Sequence, residues 1–189
     1  MDHKFMNTRF AVISGIILAG AMMRLIPHWP NFTPIAAMAL FGGAYMGKKW
    51  LAYTIPLSAM LLSDLLIGFH TNMMAVYLAF AITVSIGLLI RKKITVARVA
   101  GASLTASIIF FLVTNFSAWL ASPQLYTRDF AGLIHSYIAG LAFFNDGSYG
   151  ISFFMNEVTG SLFYNTLFFG AFYLVCKRFP ALSPLKQPY

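Results

Sequence analysis

The chain has 189 residues, 59% of them hydrophobic and only 10% charged, with a mean hydropathy of +0.75 and a net charge of +8. Soluble domains carry about 25% charged residues, so this balance excludes an ordinary soluble fold and marks a membrane protein. The basic excess does not indicate nucleic acid, because Lys and Arg flank apolar stretches and form no recognisable reader motif.

A bilayer core of about 30 Å needs about 20 apolar residues per helix. Continuous apolar runs at 10–26, 33–46, 50–69, 73–90, 96–120 and 152–176 predict an all-α membrane protein of six transmembrane helices in a single domain over 1–189. A transmembrane β-barrel would instead show alternation in segments of about ten residues. No internal repeat, low-complexity tract or soluble domain interrupts the pattern.

The first run follows Lys4 and Arg9 and contains Ala19-Gly20-Ala21, which signal peptides also show; with Met1 ahead of it, the expectation is a retained helix. Ala11, Gly15 and Ala19 recur every four residues on it. Small residues at that spacing let helix backbones approach closely, either within the bundle or against a partner's helices.

The loop RLIPHWPNFTPI, residues 24–35, brings Arg24, His28, Asn31 and three prolines together. Fixed φ at proline lowers the cost of ordering a loop on binding, and it equally suits a tight interhelical turn. The second run is the shortest and carries Gly42-Gly43; the third contains Pro56 and ends in Ser63 and Asp64, followed by His70 and Asn72. The fifth closes with Thr114, Asn115 and Trp119.

Residues 130–144 (FAGLIHSYIAGLAFF) are too few to span and include His135, which predicts a re-entrant or interfacial helix in a long loop also holding Tyr137, Asn145 and Asp146. The last run opens with Asn156 and Glu157. Glu157, Ser161, Tyr164 and Asn165 share one helix face, as the wall of a pocket would.

Lys and Arg accumulate in short cytoplasmic loops. Six crossings put every Lys and Arg except Arg24 and Arg128 on the side of the termini, so both termini are expected in the cytoplasm of a bacterial inner-membrane protein. Asp64, Asp129, Asp146 and Glu157 fall toward the outer half. That asymmetry exceeds what topology requires, since acidic residues contribute little to it.

Arg24, His28, Asn31, Asp64, His70, Asn115, Trp119, His135, Asn156 and Glu157 therefore form the candidate substrate-binding set at the outer end. Intramembrane ionisable groups usually face a bundle interior or a watery cavity. Arg24 paired with Asp64 would also simply pin the first helix to the third, and the histidines and Trp119 also suit packing or an aromatic belt. No H-E-x-x-H or other metal spacing is present, so no metal ligand is assigned. No G-x-S-x-G occurs and the single cysteine, Cys176, lies at the opposite end with no disulfide partner, so no catalytic residue is assigned and no enzyme is expected. Without a P-loop, energy for any transport must come from a partner or a gradient.

Six short helices, cytoplasmic termini, an outer polar cluster under loops and the ladder Ala11, Gly15, Ala19 together resemble the substrate-binding S-components of energy-coupling factor vitamin transporters. More locally, RLIPHWPNFTPIAAMALFGGAY, LLSDLLIGFH, FFLVTNFSAW and GLIHSYIAGLAFF resemble an uncharacterised bacterial membrane family of S-component-like proteins near the solitary cobalamin transporters. The resemblance implies capture of a vitamin or related cofactor under a mobile outer loop. It also implies a first helix whose small residues meet an energy-coupling membrane subunit, with glycine here in place of the middle alanine. The solitary cobalamin transporters turn a cysteine thiolate toward cobalt, whereas Cys176 is expected on the cytoplasmic side; His70 or His28 would stand in, or the substrate is another solute. The alternative expectation is an accessory or assembly subunit of a larger membrane complex, docked through the same ladder.

Overall fold

The computed structural model describes residues 3–69, 71–142 and 152–183. The described residues form α1 (His3–Met23), α2 (Ile35–Tyr45), α3 (Lys49–Ile67), α4 (Met73–Ile90), α5 (Val96–Ala121), α6 (Phe130–Ala142), α7 (Phe153–Arg178) and a 3-10 turn, Pro180–Leu182. Helices satisfy their own backbone polar groups, which lipid cannot do for them. Of the six expected spans, α3, α4, α5 and α7 are long and apolar enough to cross a membrane; α1 and α2 contribute shorter apolar segments, as does α6.

The second run departs most from expectation. Its helix has 11 residues and rises about 16 Å, about half of a bilayer core. It is instead the centre of the bundle: Ala36 to Tyr45 are all buried, and α2 packs against α1, α3, α4, α5 and α7.

Small residues make that position available. A side-chain carbon on Gly43 would strike the Val84 carbonyl, one on Gly87 would strike the Leu40 carbonyl, and one on Gly42 would strike Pro56 of α3. Backbone therefore lies on backbone between α2 and α4, the close approach that small residues permit. Below it, Phe41 stands edge-on to Phe168, Phe169 and Phe172 of α7 at 5.4–6.1 Å, an aromatic block at the core.

Helix ends follow local chemistry. α3 stops at Ile67, short of the expected 69, because Gly68 takes φ +101°, where glycine carries no steric cost. α1 stops at Met23 rather than 26: Leu25 and Ile26 donate to Met22 and Met23 in tight three-residue turns ahead of Pro27. Thr95 and Ser152 cap α5 and α7 by accepting from the N–H groups of Arg98 and Met155.

At the basic end of the bundle, Arg9 donates to the Tyr45 carbonyl at 3.3 Å and Arg91 to the carbonyls of Met46 and Gly47 at 3.0 and 2.9 Å. Cations here complete the unpaired carbonyls where α2 ends. α1 is integral to the bundle: Ile13, Ile17 and Ala21 recur every four residues and are buried in the core.

Candidate functional site

At the opposite end, Arg24 follows α1 and reaches the last turns of α3. One guanidinium nitrogen donates to the Ser63 hydroxyl and, at 3.3 Å, to the Met60 carbonyl; the other meets Asp64 Oδ1 at 2.6 Å. The Tyr77 hydroxyl of α4 donates to Asp64 Oδ2 at 2.8 Å. The two charged side chains are 8% and 3% exposed. Each oxygen of Asp64 thus has a donor, and the joint ties α1, α3 and α4 together.

The loop between α1 and α2 is a built turn. Phe32 N–H donates to the Trp29 carbonyl at 2.9 Å, with Pro30 and Asn31 between them and Asn31 at φ 62°. Proline followed by asparagine with positive φ is what a type II turn favours. The turn docks on the start of α7: Asn31 donates to the Phe153 carbonyl at 3.4 Å and Asn156 to the Pro30 carbonyl at 3.0 Å. Gly160 lets the loop backbone sit against α7, since a side-chain carbon there would stand 3.0 Å from Phe32 Cα.

Beside this contact lies Glu157, 4% exposed. Its Oε1 accepts from the Ser107 hydroxyl of α5 at 3.4 Å. The sole ion pair among the described residues is Arg24 with Asp64, so Glu157 has no cationic partner among them. One and two turns further along the same face of α7 come Ser161 and Asn165, each 1% exposed. Asn165 donates to Ser161, while its Oδ1 is buried without a donor. The expected stripe is therefore buried in the bundle interior, and its Glu157 meets α5 at a seam where Ser107 is fully buried.

The remaining expected site residues spread outward from this seam. Asn115 donates to Phe111 within α5 at 2.9 Å, its amide lies against Gly140 of α6, and its carbonyl accepts from Ser136 at 3.4 Å, joining α5 to α6. Trp119 donates to the Thr127 carbonyl at 2.7 Å beneath the Arg128 guanidinium. His135 is exposed and edge-on to Tyr126. His28 is exposed and bonds the Ile26 carbonyl of its own loop. His70, Asn145 and Asp146 lie outside the described residues.

Two members of these clusters escape sequence reasoning. Tyr77 sits in an otherwise apolar run and reads as a packing aromatic. Ser107 had a weak signal, because Ser103 and Ser107 beside Ala102 and Ala106 make a small, mildly polar face at helical spacing. Among the described residues no three of His, Cys, Asp and Glu gather closely enough to hold a metal ion.

A family of unknown function, DUF6580, matches residues 4–182. The chain belongs to that family. Comparison with curated proteins and with solved structures returns no match. The family region contains both carboxylate clusters and all of α1 to α7 but the first residue of α1. It also contains the ladder on α1, where Ala11, Gly15 and Ala19 are exposed and a side-chain carbon on Gly15 would meet nothing within 4 Å. At the basic end, a cavity of about 310 Å³ lined by Tyr45, Phe172, Tyr173, Cys176, Lys177 and Ser183 lies across the aromatic block from Glu157.

Proposed function

We propose that the protein is a substrate-capturing membrane subunit or solitary transporter, taking up a vitamin or related cofactor from the outer face of a bacterial inner membrane. In this reading the chain makes six crossings with both termini in the cytoplasm, and the loop of residues 24–34 together with α2 makes one of them. The observation that carries the reading is Glu157, a buried carboxyl without a cationic partner among the described residues, under a docked turn at the end with few basic residues. Intramembrane ionisable groups mark substrate and ion pathways, and packing alone gives no reason to hold this one there. The solute would bind between the turn, α5, α6 and α7, with Asn31, Asn115, Trp119 and Asn156 around it and Glu157 at its base.

Native mass spectrometry of gently extracted protein, with an absorption spectrum of the same sample, tests this. A copurified cofactor-class small molecule that is lost in Asn115→Ala supports capture. Protein free of any small molecule, from cells grown with and without added vitamins, overturns it.

The open face at Gly15 favours a second reading, an accessory subunit seated in a larger membrane complex. Gly15→Leu would then abolish copurification of a stoichiometric partner. A complex that survives the change removes α1 as the seam.

A further inference from the structure

The basic end of the bundle holds more positive charge than the fold uses. Arg9 donates to the Tyr45 carbonyl at 3.3 Å, and Arg91 to those of Met46 and Gly47, where α2 ends. A helix C-terminus carries about half a negative charge, so two guanidinium groups overmatch it, and Arg9 and Arg91 repel each other across it. Arg9 Nε is also buried with no acceptor among the described residues. Lys177, in the last turn of α7, is exposed with no carboxylate against it, because the sole ion pair among the described residues is Arg24 with Asp64 at the other end.

The cavity of about 310 Å³ opens beside these charges. Tyr45 lines it from the end of α2; Phe172, Tyr173, Cys176 and Lys177 line it from α7; Ser183 closes it after the 3-10 turn that packs against α1 and α7. Arg9 adjoins it, bonded to Tyr45 and interacting electrostatically with Cys176. We propose that this cavity binds the phosphate group of one anionic phospholipid, from the leaflet at the basic end of the bundle. The assignment goes beyond the proposed function and holds for a transporter and an accessory subunit alike.

The lining chemistry selects the ligand. Lys177 brings an ammonium group, and Tyr45 and Ser183 bring hydroxyls, to a lining with no carboxylate. Charged and hydroxyl donors suit phosphate oxygens, and basic pockets between membrane helices bind the headgroups of acidic lipids.

Shape separates a lipid from a soluble phosphate. Tyr45 and Phe172 are buried and close the cavity inward, whereas Tyr173 is 65% exposed and sets its mouth on the outside of α7. The volume is at the lower end of the range for ligand pockets, about 300 to 1,000 Å³, so a phosphate with its glycerol enters and acyl chains stay outside. An apolar strip waits for them there. Phe163, Leu167 and Leu174 are exposed along one face of α7 that ends at Lys177. Gly170 lies between them, where a side-chain carbon would meet nothing within 4 Å. A phospholipid fills the cavity and covers the strip together; free phosphate makes no use of the strip.

The test is native mass spectrometry of the full chain released from detergent, titrated with phosphatidylglycerol and, in parallel, with phosphatidylcholine of the same acyl chains. One phosphatidylglycerol per chain is expected to bind saturably, about tenfold or more tighter than phosphatidylcholine. Lys177→Gln should weaken that binding about tenfold, the loss of one charge-assisted contact, and Lys177→Glu should abolish it. Both changes are at an exposed position, where substitutions leave folding intact. Lys92→Gln, exposed at the same end but outside the cavity, should leave binding unchanged. Excess inorganic phosphate should not displace the lipid.

Equal binding of the two lipids overturns the proposal, as does stepwise uptake without saturation at one. Equal losses in Lys177→Gln and Lys92→Gln also overturn it, since they report general attraction to the basic end rather than a site. Displacement by inorganic phosphate assigns the cavity to a soluble phosphate and overturns the lipid.

Discussion

Asp64 and Glu157 are both carboxylates near one end of the bundle, both almost closed to solvent, and their surroundings are opposite. Asp64 has a guanidinium on one oxygen and a tyrosine hydroxyl on the other. Among the described residues, Glu157 has one serine hydroxyl, at 3.4 Å. Bringing a charge out of water costs several kcal/mol per ion unless partners replace the water. The first site replaces it on both oxygens, with Arg24 from the end of α1 and Tyr77 of α4, which is what a structural joint requires.

The sharpest way to break this contrast is to take away the cation of the first site. Arg24→Met should destabilise the protein by about 3 to 5 kcal/mol, because it leaves Asp64 buried and unpaired. Arg24→Met combined with Asp64→Leu should recover most of that loss, since a hydrophobic pair of similar volume is often as stable as the ions it replaces. Thermal and denaturant unfolding in detergent measures both. A double variant as unstable as the single one would assign the cost to lost packing of Arg24 rather than to the orphaned carboxylate.

Next in size is the hydroxyl of Tyr77. Tyr77→Phe removes one donor to a buried carboxylate and should cost about 1.5 to 3 kcal/mol, as for hydrogen bonds to charged groups. Glu157→Gln should behave differently. It keeps the shape, replaces a carboxyl that has no cationic partner among the described residues, and should change stability by less than about 1 kcal/mol, or raise it. Asp64→Asn gives the matched control: the same chemical change on the other carboxylate strands Arg24 and should be clearly destabilising. If Asp64→Asn and Glu157→Gln shift Tm alike, the two sites are not different in kind.

How far these sites were legible in the sequence depends on what sets each contact. The run 73–90 is found as α4 with the same bounds, and 96–120 differs from α5 by one residue, because a continuous apolar stretch specifies a buried helix whatever its neighbours do. The run 33–46 misled on length, not on helicity. Its apolar residues are buried by other helices rather than by lipid, and hydropathy does not distinguish the two. The face shared by Glu157, Ser161 and Asn165 is a matter of period and was visible. Its partner Ser107 lies 50 residues away, and which serine meets Glu157 depends on the rotation of α5, which buries Ala102, Ser103, Ala106 and Ser107. For Arg24 and Asp64, pairing was one of two readings, and the geometry shows the pair made; Tyr77 completes it from a helix whose pattern carried no polar signal.

A third carboxylate extends the comparison to water. Asp129 is exposed, and its Oδ1 accepts from the Gly132 N–H at 2.8 Å and the Thr127 hydroxyl at 2.7 Å, capping the first turn of α6. The Gly132 N–H first, then Thr127, hold its carboxyl below the usual carboxylate range. A folded-state value that is depressed contributes stability fully present above the unfolded value of about 3.9 and lost as pH falls through the folded one. Lowering pH from about 5 should therefore speed amide exchange at Gly132, after correction for intrinsic rate, without unfolding the bundle. Asp129→Ala should speed it at every pH and remove that pH dependence. The effect is the smallest of the set because solvent screens an exposed charge, and because only one helix turn depends on it. If Gly132 exchange in the wild type is flat through that window, the cap is held by the Thr127 turn rather than by the charge on Asp129.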